Sequence, residues 1–253
     1  MVPYATATQF AGAVPMTTFV LVHGAYHGAW CWYRLRAELQ ARGHTVVTPE
    51  LPAHGTDTTP VADVSLEAYV DRICETLDDA DEPVLVGHSM SGICITQAAE
   101  RRPDDVGALV YLTAYLPADE ETMLDQRSDA SILPENFEID EERGVGWVRE
   151  SVLDEAFYGD CSIEDRALAR SLLRPEPMAP LSTPVAFTES RFGDVPKAYL
   201  RCSKDRAITL QQQDAMLDRR ACDVVITLQA SHSPFLSVPI ETASALEATV
   251  ELT

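Results

Sequence analysis

The stretch PVLVGHSMSG, residues 83–92, places a serine where it could act as a nucleophile. An apolar run ends at Gly87, and Ser89 follows two residues later, where a strand would turn sharply into a helix. The usual pattern is G-x-S-x-G, but here Ser91 takes the last position and Gly92 follows it. We predict that Ser89 is the nucleophile and that Ser91 is a small residue that permits close packing of the helix.

A serine hydroxyl needs an imidazole as its base, and the imidazole needs a carboxylate to orient it. At a strand–turn–helix nucleophile the acid and then the histidine follow later in the chain, each in a loop after a strand. Five of the six histidines precede Ser89, which leaves His232, after the apolar run DVVITLQ, as the base. Asp205 follows KAYLRCS in the same way and is the predicted acid. Less suitable aspartates lie before a strand, within a helix and at a strand start: Asp194, Asp214 and Asp223.

Acyl transfer also needs two backbone N–H groups that stabilise the oxyanion. The residue after the nucleophile, Met90, should supply one of them. The loop HGAYHGAW, residues 23–30, should supply the other, and Ala25 is the predicted donor. In the same loop we expect His27 to line a pocket.

The elements that must position these residues are strands that alternate with helices. Apolar, β-branched runs predict buried strands, and amphipathic stretches between them predict helices. This alternation favours an α/β fold with a doubly wound, mostly parallel sheet. The predicted strands are residues 17–22, 44–51, 83–87, 106–114, 197–202 and 223–229.

Residues 116–186 interrupt the alternation after the strand at 106–114. They are acidic, contain many prolines and lack clear strand patterns, which predicts a helical cap inserted into a core of residues 16–115 and 187–253. Residues 1–15 are expected to form a flexible extension, because they lack the features of a signal peptide. We expect aromatic side chains from the cap region to reach the substrate pocket: Trp147, Phe157 and Phe187.

Composition excludes several other classes of function. The 253-residue chain carries a net charge of −21, which disfavours nucleic acid and anionic membranes as partners. No stretch approaches the roughly 20 apolar residues of a membrane span. Six scattered cysteines suggest reduced core thiols and a cytoplasmic location, and neither cysteines nor histidines have the spacing of a metal site. We expect no cofactor and a small-molecule partner; a homodimer is left open.

Several stretches together resemble one branch of the α/β-hydrolase superfamily: FVLVHGAYHGAWCWYRL, GHTVVTPELPAHGTD, VLVGHSMSG, CSIEDRALARSLLRPEP, RFGDVPKAYLRCSKDRAI and SHSPFLSVP. That branch contains plant methylesterases such as the salicylate-binding methylesterase, hydroxynitrile lyases, and bacterial esterases that include pyrethroid hydrolases. The resemblance implies a triad of Ser89, Asp205 and His232, with oxyanion donors at Ala25 and Met90. It implies a carboxylesterase that acts on a small to medium hydrophobic ester through an acyl-enzyme.

Two alternatives stay open beside hydrolysis. The lyases of this branch use the same triad as a base, but they carry a threonine where this chain has Gly24 and a lysine where it has Ser233. That lysine supplies the cation for the leaving cyanide, so its absence favours hydrolysis. The other alternative is a non-catalytic binding protein of the same fold, which would have little need of a complete triad.

Overall fold

Continuous apolar runs form a central sheet of six parallel strands in this computed structural model, which describes residues 15–252. Of the predicted N-terminal extension, residues 1–14 therefore lie outside the described part. The strands lie side by side in the order Thr45–Val47, Thr18–Val22, Val84–His88, Ala108–Leu112, Lys197–Cys202 and Val224–Leu228. The doubly wound parallel architecture predicted from the alternation is confirmed.

The elements follow the order β1 Thr18–Val22, α1 Tyr33–Ala41, β2 Thr45–Val47, α2 Leu66–Leu77, β3 Val84–His88, α3 Ser91–Arg101, β4 Ala108–Leu112, β5 Phe137–Asp140, β6 Val145–Val148, α4 Leu153–Phe157, α5 Ile163–Leu172, β7 Glu176–Pro177, α6 Met178–Ser182, β8 Lys197–Cys202, α7 Leu210–Arg219, β9 Val224–Leu228, α8 Pro234–Ser237 and α9 Pro239–Glu247.

Helices cover both faces of the sheet and create two buried apolar clusters. On one face α2 packs against α3, and on the other α1 packs against α9. Helix α2 begins after Ser65, whose hydroxyl accepts a hydrogen bond from the Ala68 N–H at 3.1 Å. All six cysteines are buried and free, as expected for core thiols.

The edge strand β2 is shorter than predicted. The sequence suggests residues 44–51, whereas the strand covers Thr45–Val47. Pro49 follows closely and lacks the N–H that a longer pairing would need, so the chain leaves the sheet there.

The segment between β4 and β8 contains helices and also a small antiparallel sheet of β5, β6 and β7. The sequence analysis did not predict these three strands. They are two to four residues long, and β7 contributes only Glu176 and Pro177, so no alternating pattern could develop.

The carboxyl ends of the parallel strands lie at one edge of the sheet, where ligands bind in open α/β sheets. The register pairs Val22 with Gly87, and His88 with Leu112. It also pairs Cys202 with Leu228. The loops that carry the predicted catalytic residues therefore begin at the same edge. No helix within residues 15–252 is long and apolar enough to cross a membrane.

Candidate active site

Ser89 occupies a sharp turn between β3 and α3. Its φ is +54°, in the left-handed region that a side-chain-bearing residue adopts only when the surroundings hold it. The Ser89 carbonyl accepts hydrogen bonds from the N–H groups of Gly92 at 3.1 Å and Tyr115 at 3.0 Å. These bonds fix the turn and leave the partly exposed Ser89 side chain at its tip.

The small residues around Ser89 have separate roles. A Cβ on Gly92 would lie 1.9 Å from the Tyr115 carbonyl oxygen, and a Cβ on Gly87 would lie 2.8 Å from the Ser91 carbonyl oxygen. Both positions therefore require glycine. Ser91 is buried, and its hydroxyl donates to the His23 carbonyl at the end of β1. Ser91 thus ties the helix to the neighbouring loop, which its predicted role as a small residue did not include.

Asp205 and His232 meet in the loops after β8 and β9. The His232 Nδ1 lies 2.6 Å from the Asp205 Oδ2, and both side chains are buried. Asp205 also accepts from the Thr113 hydroxyl at 2.6 Å and from the N–H groups of Ala207 and Ile208 at 2.7 and 2.9 Å. Because the aspartate accepts all four bonds, the His232 Nδ1 carries a proton, and in the neutral ring Nε2 is the nitrogen that can accept one.

His88 and Phe157 hold the His232 imidazole in place. The His88 Nε2–H donates to the His232 carbonyl at 2.8 Å, and the Phe157 ring lies 5.5 Å from the His232 ring. Burial lowers the pKa of His88 well below its usual value, so this imidazole is neutral. The His232 Nε2 is buried and has no hydrogen-bond partner within residues 15–252, so no bond to Ser89 is formed here. Such catalytic bonds often tighten only when substrate is bound.

The two predicted oxyanion donors lie beside the turn. Among the hydrogen bonds of residues 15–252, none is donated by the amide of Ala25 or of Met90. A Cβ on the adjacent Gly24 would lie 2.9 Å from the Ser89 Cβ, so the loop after β1 approaches Ser89 closely. Both amides are therefore free to donate to an oxygen next to Ser89.

His27 holds this loop in place through hydrogen bonds. Its Nδ1–H donates to the Ala25 carbonyl at 2.7 Å, and its Nε2 accepts from the Tyr158 hydroxyl at 2.7 Å. Burial lowers the pKa of His27 to about 4, so the ring is neutral. With both nitrogens engaged and 1% of its surface exposed, His27 is placed to shape the loop, and these contacts do not support the pocket-lining role predicted for it.

A cavity of about 50 Å³ lies between the core and the segment that connects β4 to β8. The core side includes Tyr26, which follows Ala25, and Tyr115, whose N–H holds the Ser89 carbonyl. Most of its wall is apolar, and the Arg127 guanidinium adds a positive charge. The lining residues are Tyr26, Tyr115, Met123, Leu124, Arg127, Ser128, Ser131, Leu133, Pro134, Phe137, Leu181 and Gln212.

The three aromatic residues predicted for the pocket lie in different places. Phe157 contacts His232, as described above. The Trp147 indole donates to Glu138 within the cap sheet at 3.1 Å. Phe187 packs against Phe192 with ring centroids 4.6 Å apart, and the Arg220 guanidinium lies over it. The contacts of Trp147 and Phe187 therefore do not support a role for either residue in the pocket.

Sequence reasoning missed Thr113 and Glu176. Thr113 follows β4 directly and holds Asp205; a polar residue at the end of an apolar strand was the available signal. Glu176 is buried in the cap, and nothing in the acidic sequence around it marked it. Within residues 15–252 no three His, Cys, Asp or Glu side chains are grouped so that they could hold a metal ion.

Comparisons with known proteins identify the family to which this chain belongs. The model of the alpha/beta hydrolase family matches residues 19–245. Salicylic acid-binding protein 2 of Nicotiana tabacum is 34% identical to this chain, and the match covers 90% of the chain and 95% of that protein. Methylesterase 2 of Arabidopsis thaliana is 31% identical, with 87% and 91% covered. The crystal structure of a pyrethroid hydrolase from Sphingobium faniae superimposes with a TM-score of 0.80 at 26% identity and covers 93% of this chain and 98% of that one.

Proposed function

The chain belongs to the α/β-hydrolase family, and we therefore propose that it is a serine carboxylesterase that acts through Ser89, His232 and Asp205. The observation that carries the proposal is the buried pair of Asp205 and His232, 2.6 Å apart, at the same sheet edge as the left-handed turn of Ser89. The relative named Methylesterase 2 supports ester hydrolysis as the reaction.

In the proposed mechanism, the His232 Nε2 takes the proton of Ser89 as the serine oxygen attacks the ester carbonyl. Asp205 stabilises the imidazolium that forms, because its carboxylate is already oriented by Thr113 and two backbone amides. The Ala25 and Met90 amides stabilise the oxyanion. His232 then protonates the leaving alkoxide and activates the water that hydrolyses the acyl-enzyme.

The cavity supports a small to medium hydrophobic ester as substrate. Its wall is mainly apolar, as is usual for sites that bind small molecules. A relative named for binding salicylic acid is consistent with an aromatic acid portion. For the present chain we propose that the aromatic acyl group of the ester lies next to Tyr26 and Tyr115.

Cyanohydrin cleavage is less well supported. Gly24 takes the place of the lyases' threonine, and any Cβ there would lie 2.8 Å from the His88 Nδ1. Ser233 takes the place of their lysine and is fully buried. The environment next to His232 therefore provides neither the hydroxyl nor the cation that the lyases use.

The test is a screen of p-nitrophenyl and methyl esters, lactones and mandelonitrile with the wild-type protein and Ser89→Ala. We expect turnover of hydrophobic esters by the wild type and a loss of at least about 10,000-fold in Ser89→Ala. Ser190→Ala, an exposed serine distant from the turn, is the matched control and should retain full activity. Equal turnover by Ser89→Ala would refute the assignment, and cyanide release without ester turnover would favour the lyase.

A further inference from the structure

The cap forms two hydrogen bonds with the backbone of Tyr26, the residue directly after the proposed oxyanion donor Ala25. The Arg174 N–H donates to the Tyr26 carbonyl at 3.0 Å, and the Tyr26 N–H donates to the Glu176 carboxylate at 2.9 Å. Tyr26 has a φ of +68°, in the left-handed region. For a residue with a large side chain this conformation is unfavourable and persists only where the surroundings hold it. The cap segment supplies two of the bonds that do so.

These bonds fix one particular peptide unit. The Ala25–Tyr26 peptide has its carbonyl held by the His27 Nδ1–H at 2.7 Å and its N–H held by Glu176. With both polar groups engaged, the peptide plane cannot rotate without breaking a buried hydrogen bond. The peptide that follows Ala25 is thereby fixed, and this restricts the backbone torsions of Ala25. The direction of the Ala25 N–H depends on those torsions.

The Glu176 carboxylate is itself held by the side chains of His54 and Tyr69. It is fully buried, its Oε2 lies 2.8 Å from the His54 Nε2, and its Oε1 accepts from the Tyr69 hydroxyl at 3.1 Å. The His54 Nδ1 faces the Pro52 carbonyl at 3.0 Å, an atom that can only accept. Both ring nitrogens of His54 therefore donate, which makes it an imidazolium paired with the Glu176 carboxylate.

The charge state of His54 has a physical cause. Burial alone would lower the pKa of His54, but the Glu176 carboxylate outweighs burial and leaves that pKa above its usual value. A buried ion pair contributes little net stability, because desolvation offsets the attraction. What this pair supplies is a carboxylate in a fixed position, with one oxygen directed at the Tyr26 amide.

We propose that Glu176 is a positioning residue: its buried carboxylate, held by His54 and Tyr69, sets the Ala25–Tyr26 peptide so that the Ala25 N–H is directed at the oxyanion. This inference rests on the proposed esterase function. It deepens that function, because stabilisation of the transition state then depends on a cap residue 150 positions away along the chain.

Two variants test the proposal: Glu176→Ala and Glu176→Gln. The readouts are kcat per active site, with active sites counted by a fluorophosphonate, KM, and the calorimetric Kd of an aryl trifluoromethyl ketone that forms a tetrahedral adduct with Ser89. Displacement of one oxyanion donor costs about 10- to 100-fold in rate. In Glu176→Ala we expect kcat to fall and the ketone Kd to rise by a factor in that range, with KM changed less than about threefold.

The conservative Glu176→Gln change keeps an acceptor for the Tyr26 N–H and should recover most of the loss, which provides a result even where Glu176→Ala folds poorly. Glu50→Gln is the matched control. Glu50 also supports nearby loops, through the Ala29 and Thr56 amides at 2.6 and 3.1 Å, but it does not touch the Ala25–Tyr26 peptide. It should leave kcat and the ketone Kd unchanged.

Equal kcat and ketone Kd in wild type and Glu176→Ala would overturn the proposal, as would an equal effect of Glu50→Gln. Calorimetry does not depend on turnover. Absence of ester hydrolysis by the wild type would therefore count against the proposed function alone, while the ketone Kd would still report on Glu176.

Discussion

The position of a Cβ on Gly92 lies 1.9 Å from the carbonyl oxygen of Tyr115. Tyr115 also donates its N–H to the Ser89 carbonyl, so its backbone runs against the turn that presents the nucleophile. The glycine that this turn needs after the serine is therefore Gly92. Ser91, one place earlier, has room for its side chain and uses it to bond the His23 carbonyl.

Gly92→Ala should distort the turn severely, because the added Cβ would collide with the Tyr115 carbonyl oxygen. That oxygen can move away only if the start of the loop after β4 moves. We expect a lower melting temperature and a loss of ester turnover of at least about 100-fold, the scale of a displacement of about 1 Å in an active site. Ser91→Gly is the matched change at the adjacent position. It removes one hydrogen bond, worth about 1 kcal/mol, and should keep most of the activity. Thermal melts and p-nitrophenyl ester assays on both proteins decide this, and similar behaviour of the two would contradict it.

Asp205→Asn should retain the fold and lose activity. The asparagine can no longer accept all four bonds, and its NH₂ group favours the tautomer of His232 that carries the proton on Nε2. That tautomer cannot take a proton from Ser89, and the expected fall in kcat is about 10,000-fold. Asp194→Asn, an exposed aspartate before β8, is the control and should behave as wild type. A kcat within tenfold of wild type for Asp205→Asn would show that another carboxylate orients His232.

Arg127 should select among esters of similar size. Its guanidinium lies over the Phe137 ring at 5.8 Å in the cavity wall, and none of the ion pairs within residues 15–252 involves it. An ester with a carboxylate at its far end should gain up to about 1 kcal/mol from this exposed cation, or about fivefold in kcat/KM. Arg127→Gln should remove that gain, and 1 M salt should weaken it. Hydrolysis of a neutral ester of equal length should not change.

The control for this selectivity is Arg36→Gln, since Arg36 is exposed on α1 and does not line the cavity. Steady-state kinetics on the paired esters provides the measurement. An unchanged ratio of kcat/KM for the anionic and neutral esters in Arg127→Gln would mean that Arg127 does not contact the substrate.

The protein should lose stability in mild acid. Burial lowers the pKa of His27 to about 4 and lowers the pKa values of His23 and His88 well below the usual value near 6.5. Below about pH 6.5 the unfolded chain binds protons that the folded chain does not. The free energy of unfolding therefore decreases as the pH is lowered. Each such proton contributes about 1.4 kcal/mol per pH unit.

His54 contributes in the opposite direction. Its folded pKa is raised, so its stabilisation is fully present below the unfolded pKa and is lost as the pH rises through the folded one. Three depressed histidines outweigh one raised histidine, and urea titrations from pH 7.5 to 4.5 should show a net decrease. His27→Gln should reduce the slope between pH 5.5 and 4.5. A free energy of unfolding independent of pH over this range would show that the histidines are not buried as neutral groups.

The sequence by itself determined the sheet and the order of the candidate catalytic residues. Short apolar runs rich in β-branched residues favour buried strands, and their alternation with amphipathic helices leaves few topologies. Because parallel strands place their carboxyl ends at one edge, the positions of Ser89, Asp205 and His232 after strand ends were enough to predict that they lie together. The structure then adds the contact itself, with the His232 Nδ1 2.6 Å from the Asp205 Oδ2.

Only the tertiary structure decided how the cap meets this edge. The cap strands are too short to show a period, and aromatic content could not separate Phe157, which contacts His232, from Trp147 and Phe187, which pack elsewhere. Glu176 reaches Tyr26 across 150 residues of sequence, and no local pattern records such a contact. Strand periodicity is a local property of the chain, whereas the choice of a buried partner depends on which distant backbone groups folding leaves to be satisfied.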